Sequence, residues 1–244
     1  MQRIIAATHN PSKIEQLARL VAGLADVAPP PHDIPHEAAD GAEYGTSFEA
    51  IARAKAAAWS RSLASDALVV ATDGGLLVPA LGAAWDPVRT RRFAGEAATN
   101  RERADALLRL AAGLDGDDRR IVWREGLAVA RAGRVLAAWD ASGPPGLLAL
   151  AYDPADLDGA VGFWIPTVWL CPELDNRRLV DLTPAEAATR DDHWSRLGRA
   201  LRRFLTSHSS APRTSDVARA ITAAPRRVPH QRDIKSSRNH DLRR

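Results

Sequence analysis

Apolar and polar positions alternate along this chain in two periods, one of two residues and one of three to four. Residues 3–8 form an apolar, partly β-branched run closed by His9-Asn10-Pro11, which predicts a short buried strand. Asn10 suits a helix N-cap and Pro11 the first helical position. Ile14, Leu17, Ala18, Val21 and Leu24 then recur at helical spacing, and a proline-rich connection over residues 28–35 ends that unit. Residues 47–63 predict a second amphipathic helix, with Phe48, Ile51, Ala52, Trp59 and Leu63 on one stripe. Residues 67–72 predict a strand that Asp73-Gly74-Gly75 breaks sharply. Thr99 to Glu102 has capping-box spacing before a helix through Leu107, Leu108 and Ala111. Residues 121–130 and 134–139 predict a hairpin around Ala132-Gly133. Residues 161–170 read as extended. Thr183 to Glu186 again has capping-box form, and Trp194, Leu197, Leu201, Phe204 and Leu205 make a last helical stripe. After Thr206 the pattern dissolves, so one domain over residues 1–206 and a disordered tail over 207–244 are predicted. Strands and helices mix, with a hairpin in the middle, which predicts an α/β fold with a mixed sheet.

Charge changes this picture only when it is located. The chain carries 33 Lys and Arg against 30 Asp and Glu. Residues 207–244 hold nine of the cations and three of the acids (Asp216, Asp233, Asp241), so the body is mildly acidic. That balance argues against nucleic acid as a partner of the body and leaves the basic tail as the place where one would bind. No apolar run approaches the ~18–20 residues that span a bilayer, so no membrane partner is expected. A single cysteine, Cys171, excludes an intrachain disulfide framework. The first residues turn polar too soon for a signal peptide, and the expected location is the cytoplasm.

Lysine is rare: Lys13, Lys55 and Lys235 are all there are. Lys13 falls in the first turn of a predicted helix, where a cation opposes the helix dipole and an anionic ligand would relieve it. The plain alternative is that Asn10 caps the helix and Lys13 is solvated. Lys55 lies on the apolar stripe of its helix, four residues after Ile51 and four before Trp59. It either snorkels to the rim or meets an anion in a cleft. Asp73, placed after a buried strand and before two glycines, suits a metal ligand or general base, and equally a turn residue. Phe163, Trp164 and Trp169 are candidates for stacking on a base or for core packing.

In this order, the segments resemble the inosine triphosphate pyrophosphatase family, which acts on non-standard purine nucleoside triphosphates. Thr8, Asn10 and Lys13 match its T-x-N-x-x-K motif, and residues 48–56 its F-x-E-N-A-x-x-K-A helix. Residues 72–76 are similar to its D-D-S-G-L turn, and 86–95 to P-G-V-x-S-A-R-[YF]-A-G. Gly162-Phe163-Trp164-Ile165-Pro166-Thr167 falls on G-F-G-Y-D-P, and residues 195–201 on S-H-R-G-R-A-L. The resemblance implies a two-lobed α/β fold with a long mixed sheet, a nucleotide cleft between the lobes and a homodimer. It implies hydrolysis of a nucleoside triphosphate to the monophosphate and pyrophosphate with Mg²⁺. Thr8, His9, Asn10, Lys13, Lys55 and Gly74 would then hold phosphates, with Asp73 as general base and metal ligand. Phe163, Trp164, His193 and Arg196 would hold the base.

The departures lie in the same motifs. The family's metal-binding Glu falls on Ala50, so Glu49, one residue early, is the second metal candidate. The first Asp of its pair is Thr72, its Tyr-Asp is Ile165-Pro166, and its His-Arg is Arg196-Leu197. These replacements define the alternative: a catalytically weakened nucleotide-binding or partner-binding protein on the same fold.

Overall fold

The computed structural model describes residues 2–31, 45, 47–63, 66–158 and 163–209. The end of the proline-rich connection, Val161-Gly162 and the tail beyond Ser209 lie outside the described residues.

The chain opens with β1 (Gln2–Ala6), α1 (Pro11–Leu20) and β2 (Ala25–Ala28). Asn10 caps α1, its side chain accepting the Ser12 N–H at 3.0 Å. Helix α2 (Phe48–Ser62) begins where Ser47 accepts the Ala50 N–H, and it leads to β3 (Leu68–Leu77). A Thr99–Glu102 capping box starts α3 (Asn100–Leu110). The central hairpin is β4 (Arg120–Arg131) and β5 (Arg134–Ser142). Its turn takes positive φ at both Ala132 (48°) and Gly133 (79°), the geometry that matches strand twist. Then come β6 (Gly146–Leu148), α4 (Ala155–Asp158), β7 (Trp169–Cys171) and β8 (Arg177–Arg178). A second capping box, Thr183–Glu186, starts α5 (Pro184–Thr189), and α6 (His193–Ser209) follows. Helix α6 runs past Thr206, and His208 stacks on Phe204 at 3.9 Å, so the packed domain extends beyond residue 206.

The eight strands among the described residues join one sheet in the order β2-β1-β3-β4-β6-β7-β8, with β5 also on β4. The β1 pairings with β2 and β3 are parallel and the rest antiparallel, so the sheet is mixed. Twelve residues long, β4 gives one edge to β3 and the other first to β6 and then to β5. The period of two sorts the faces. Ile5, Val69, Ala71, Ala128 and Ala130 face the small residues Ala52 and Ala56 and Trp59 of α2. Ile4, Val70, Leu127 and Val129 pack with Leu17 of α1 and Leu201 and Leu205 of α6. A third cluster around Leu76, Trp85, Leu107, Ile121, Trp164 and Trp169 fills the far half.

Two sequence expectations are corrected. Strand β3 does not break at Asp73-Gly74-Gly75 but continues to Leu77, in register with β4 throughout. The glycines give up side chains, not extended backbone. A Cβ on Gly74 would overlap the Glu125 carboxylate, and one on Gly75 would overlap the Pro87 carbonyl and lie 2.9 Å from the Phe48 ring. Residues 161–170 are not one extended stretch either. Ile165–Val168 is a single 3₁₀ turn, closed by Thr167 donating through N–H and hydroxyl to the Trp164 carbonyl, and the strand starts at Trp169.

Gly126 on β4 admits the first turn of α2, since a Cβ there would stand 2.5 Å from the Glu49 nitrogen. Backbone atoms cannot swing aside, so Gly126→Ala must move the helix from the sheet. Overpacking of this kind costs ~1–3 kcal/mol, and the urea midpoint of the variant is expected to fall accordingly. An unchanged midpoint would show that the helix does not rest on this glycine.

Candidate active site

The close approach of α2 to the β3–β4 pair builds the site. Asp73 pairs with Gly126, and Gly74 with Glu125, so the two carboxylates leave opposite faces of the sheet at adjacent rungs. Lys55 reaches from α2 to Asp73, Nζ to Oδ1 2.7 Å, with side chains only 15% and 17% exposed. Lys55 therefore turns inward and does not snorkel. Lys13, in the first turn of α1, extends to Glu125, Nζ to Oε1 3.3 Å. Glu125 is 1% exposed, and its Oε2 accepts the Trp123 indole N–H at 3.0 Å.

Burial pushes the Asp73 carboxyl above the ordinary aspartate range; Lys55 and Lys13 pull it back and the Glu125 charge pushes it further up. Burial beats two cations here because the carboxylate is largely cut off from water. Asp73 is thus poised to take a proton closer to neutral pH than a surface aspartate would.

Trp123 leads from this quartet into an apolar pocket of about 110 Å³, walled by Trp123, Phe163, Ile165 and Trp169 with Arg190 and His193 at its polar end. Phe163 is exposed and meets Trp123 edge to face at 5.1 Å. Burial holds the His193 imidazole below its usual range, and its ring lies 6.1 Å from Trp123.

The structure brings Lys13, Lys55, Asp73 and Gly74 together, and puts Phe163 and His193 at the pocket. Thr8 and Asn10 shape the start of α1, the Thr8 hydroxyl accepting the Asn10 N–H at 3.1 Å. His9 packs edge-on to Trp59 of α2 at 5.6 Å. Three candidates stand elsewhere. Trp164 is buried against Phe93 in the far core. Arg196 is held by Asp191 and the Ser142 carbonyl. The half-buried Glu49 carboxylate is taken up by Arg53, accepting from it at 2.7 Å. Sequence reasoning missed Glu125 and Trp123. The available signal was the charged Arg124-Glu125 step inside a strand otherwise reading Ile-Val-Trp and Gly-Leu-Ala-Val-Ala.

Among the described residues no group of three or more His, Cys, Asp or Glu side chains is placed to hold a metal. Asp73 alone offers a partly exposed carboxylate in the quartet. Mg²⁺ keeps several waters and commonly takes one or two carboxylates plus substrate phosphate oxygens. A Mg²⁺ at this site would have Asp73 as its protein carboxylate and would draw its remaining ligands from water and a polyphosphate.

The mixed α/β sheet thus carries a buried lysine–aspartate pair, a second lysine at a helix N-terminus and an aromatic pocket alongside. The chain belongs to the Ham1 family, whose family model matches residues 4–138, in keeping with the resemblance read from the motifs. It is similar to a dITP/XTP pyrophosphatase of Anaeromyxobacter sp. (strain Fw109-5), 33% identical over 55% of this chain and 69% of that one. A dITP/XTP pyrophosphatase of Gloeobacter violaceus is 32% identical over 86% of this chain and 95% of the relative. Among solved structures, a HAM1 protein from Coxiella burnetii superposes with a TM-score of 0.67 at 25% identity, covering 85% of this chain and all of the other.

The opposing influences on Asp73 are open to titration. Lys55→Met is expected to move the Asp73 carboxyl to still higher pKa, and Glu125→Gln to lower it, as followed by carbon-13 NMR. Shifts in the reverse directions would mean that these groups do not share one electrostatic site.

Proposed function

We propose that this protein hydrolyses non-standard purine nucleoside triphosphates to the nucleoside monophosphate and pyrophosphate, with Mg²⁺, as a homodimer. The observation that carries the reading is the continuous path from pocket to lysines. Trp123 donates to Glu125, Glu125 holds Lys13, and Lys13 and Lys55 both act on Asp73. A base against Trp123 and Phe163 would extend its phosphates towards both ammonium groups. The relatives named dITP/XTP pyrophosphatase support the substrate class.

In this reading the Lys13 ammonium, carried by the first turn of α1, binds phosphate oxygens. Lys55 neutralises charge from the opposite side and orients the Asp73 carboxylate. Asp73 takes the proton of a water whose oxygen bonds to the α-phosphorus. The bond from that phosphorus to the α–β bridging oxygen breaks, and the bridging oxygen leaves with pyrophosphate. Mg²⁺, when bound, supplies charge neutralisation on the phosphates and acidifies the water.

A second reading, nucleotide binding without turnover, is favoured by the engagement of Glu49 with Arg53, which leaves Asp73 with fewer carboxylates around it. Pyrophosphate release from ITP, XTP, dITP and ATP, with and without Mg²⁺, separates the two. Mg²⁺-dependent release is expected, and Asp73→Asn is expected to abolish it while the circular dichroism spectrum stays unchanged. Tight nucleotide binding with no release by the wild type would establish the second reading. The acidic limb of the rate profile should lie above the ordinary aspartate range: activity is present above the raised Asp73 pKa and lost as pH falls through it.

Discrimination between bases should be modest. Arg190 is engaged by Glu173 at 2.7 Å, Asp192 caps α6 by accepting the Ser195 N–H, and Ile165 offers only apolar contact. Stacking on Trp123 and Phe163 is tolerant of base identity. A preference for ITP over ATP on the order of tenfold or less, ~1.4 kcal/mol, is expected in competition kinetics. A preference of several hundredfold would require base-reading groups other than these.

A further inference from the structure

Glu125 is a carboxylate in a place where a site for polyphosphate has no evident use for one. It sits beneath the Lys13 ammonium, 3.3 Å away, is 1% exposed, and is fixed from its other oxygen by the Trp123 indole. Gly74 opposite it has no side chain, and any Cβ there would overlap its carboxylate, so the fold makes room for this group specifically. Two ammonium groups thus face two carboxylates, Lys13 with Glu125 and Lys55 with Asp73, and their charges cancel. The nearby Arg190 and Arg124 guanidinium groups are matched by Glu173 and Asp140, and Asp192 beside His193 brings no positive charge.

We propose that Glu125 is a specificity-determining residue that makes the site accept a triphosphate only as its divalent-cation complex. This rests on the reading of the site as one for nucleoside triphosphates. A free triphosphate brings about four negative charges into a neutral, largely buried site, where unit charges a few ångströms apart interact several times more strongly than in water. The metal complex brings about half that charge. Without Glu125 the quartet would carry a net positive charge and would hold bare polyphosphates, pyrophosphate among them. A buried negative charge beneath Lys13 also weakens the hold on the released product once its metal has gone. Glu125 touches neither substrate nor metal in this scheme; it acts through Lys13 and through the charge balance.

Calorimetry with inorganic tripolyphosphate and with a non-hydrolysable ITP analogue, each with Mg²⁺ and with EDTA, tests this on the full chain. For the wild type, EDTA is expected to weaken both ligands at least tenfold. In Glu125→Gln, whose amide keeps the shape, that ratio is expected to collapse to about threefold or less, mainly through tighter metal-free binding. Glu125→Asp retains the charge and should retain the wild-type ratio, and Glu125→Ala, with the same collapse expected as for Gln, carries the test if the Gln variant does not fold. An unchanged ratio in Glu125→Gln, or equal weakening with and without Mg²⁺, would overturn the inference and reduce Glu125 to a prop for Lys13. Absence of binding of the nucleotide analogue to the wild type under any condition would instead overturn the nucleotide reading itself.

Discussion

The antiparallel register of β3 on β4 sets Asp73 opposite Gly126 and Gly74 opposite Glu125, and nearly everything functional hangs on it. Each carboxylate faces a residue without a side chain. The space beside Gly126 is taken by the first turn of α2 and the space over Gly74 by the Glu125 carboxylate. The first vacancy brings the helix bearing Lys55 close to the sheet. The second admits a buried charge, which draws in Lys13 from α1. A slip of β4 by one residue would exchange the faces of Glu125 and Gly126 and disperse the site.

Such a cluster is costly to assemble in a low-dielectric interior, and the structure offsets that cost locally. Each carboxylate has an ammonium partner, and Glu125 also has an indole donor. Breaking a buried pair from one side leaves a charge uncompensated, which is why each member constrains the rest. The raised Asp73 carboxyl shows that the compensation is incomplete there. Incomplete compensation next to a partly open position leaves a group able to exchange a proton.

What the sequence made legible was what local geometry controls. Asn10 and Thr99 cap the helices their spacing predicts, and Ala132-Gly133 turns the hairpin. Lys55 stood out because helical periodicity placed it among apolar residues. The continuity of β3 was not legible, since Asp-Gly-Gly reads as a turn by every local rule. It becomes a strand because Glu125, Phe48 and Pro87, distant in sequence, fill the space its glycines vacate. Glu125 itself was hidden for the same reason: a glutamate in a hairpin strand has no meaning until the register shows what lies opposite. Trp164 and Arg196 followed motif positions, yet packing sends Trp164 into the far core and Arg196 to Asp191. The aromatic wall is supplied instead by Trp123, from the strand that also carries Glu125.

In the proposed reaction water attacks the α-phosphorus and Asp73 accepts its proton. Hydrolysis of ITP in oxygen-18 water, followed by phosphorus-31 NMR, reads that step directly. IMP and pyrophosphate in equal amounts, with the heavy oxygen in the IMP phosphate, is the predicted result. IDP with orthophosphate, or label found in pyrophosphate, would contradict it.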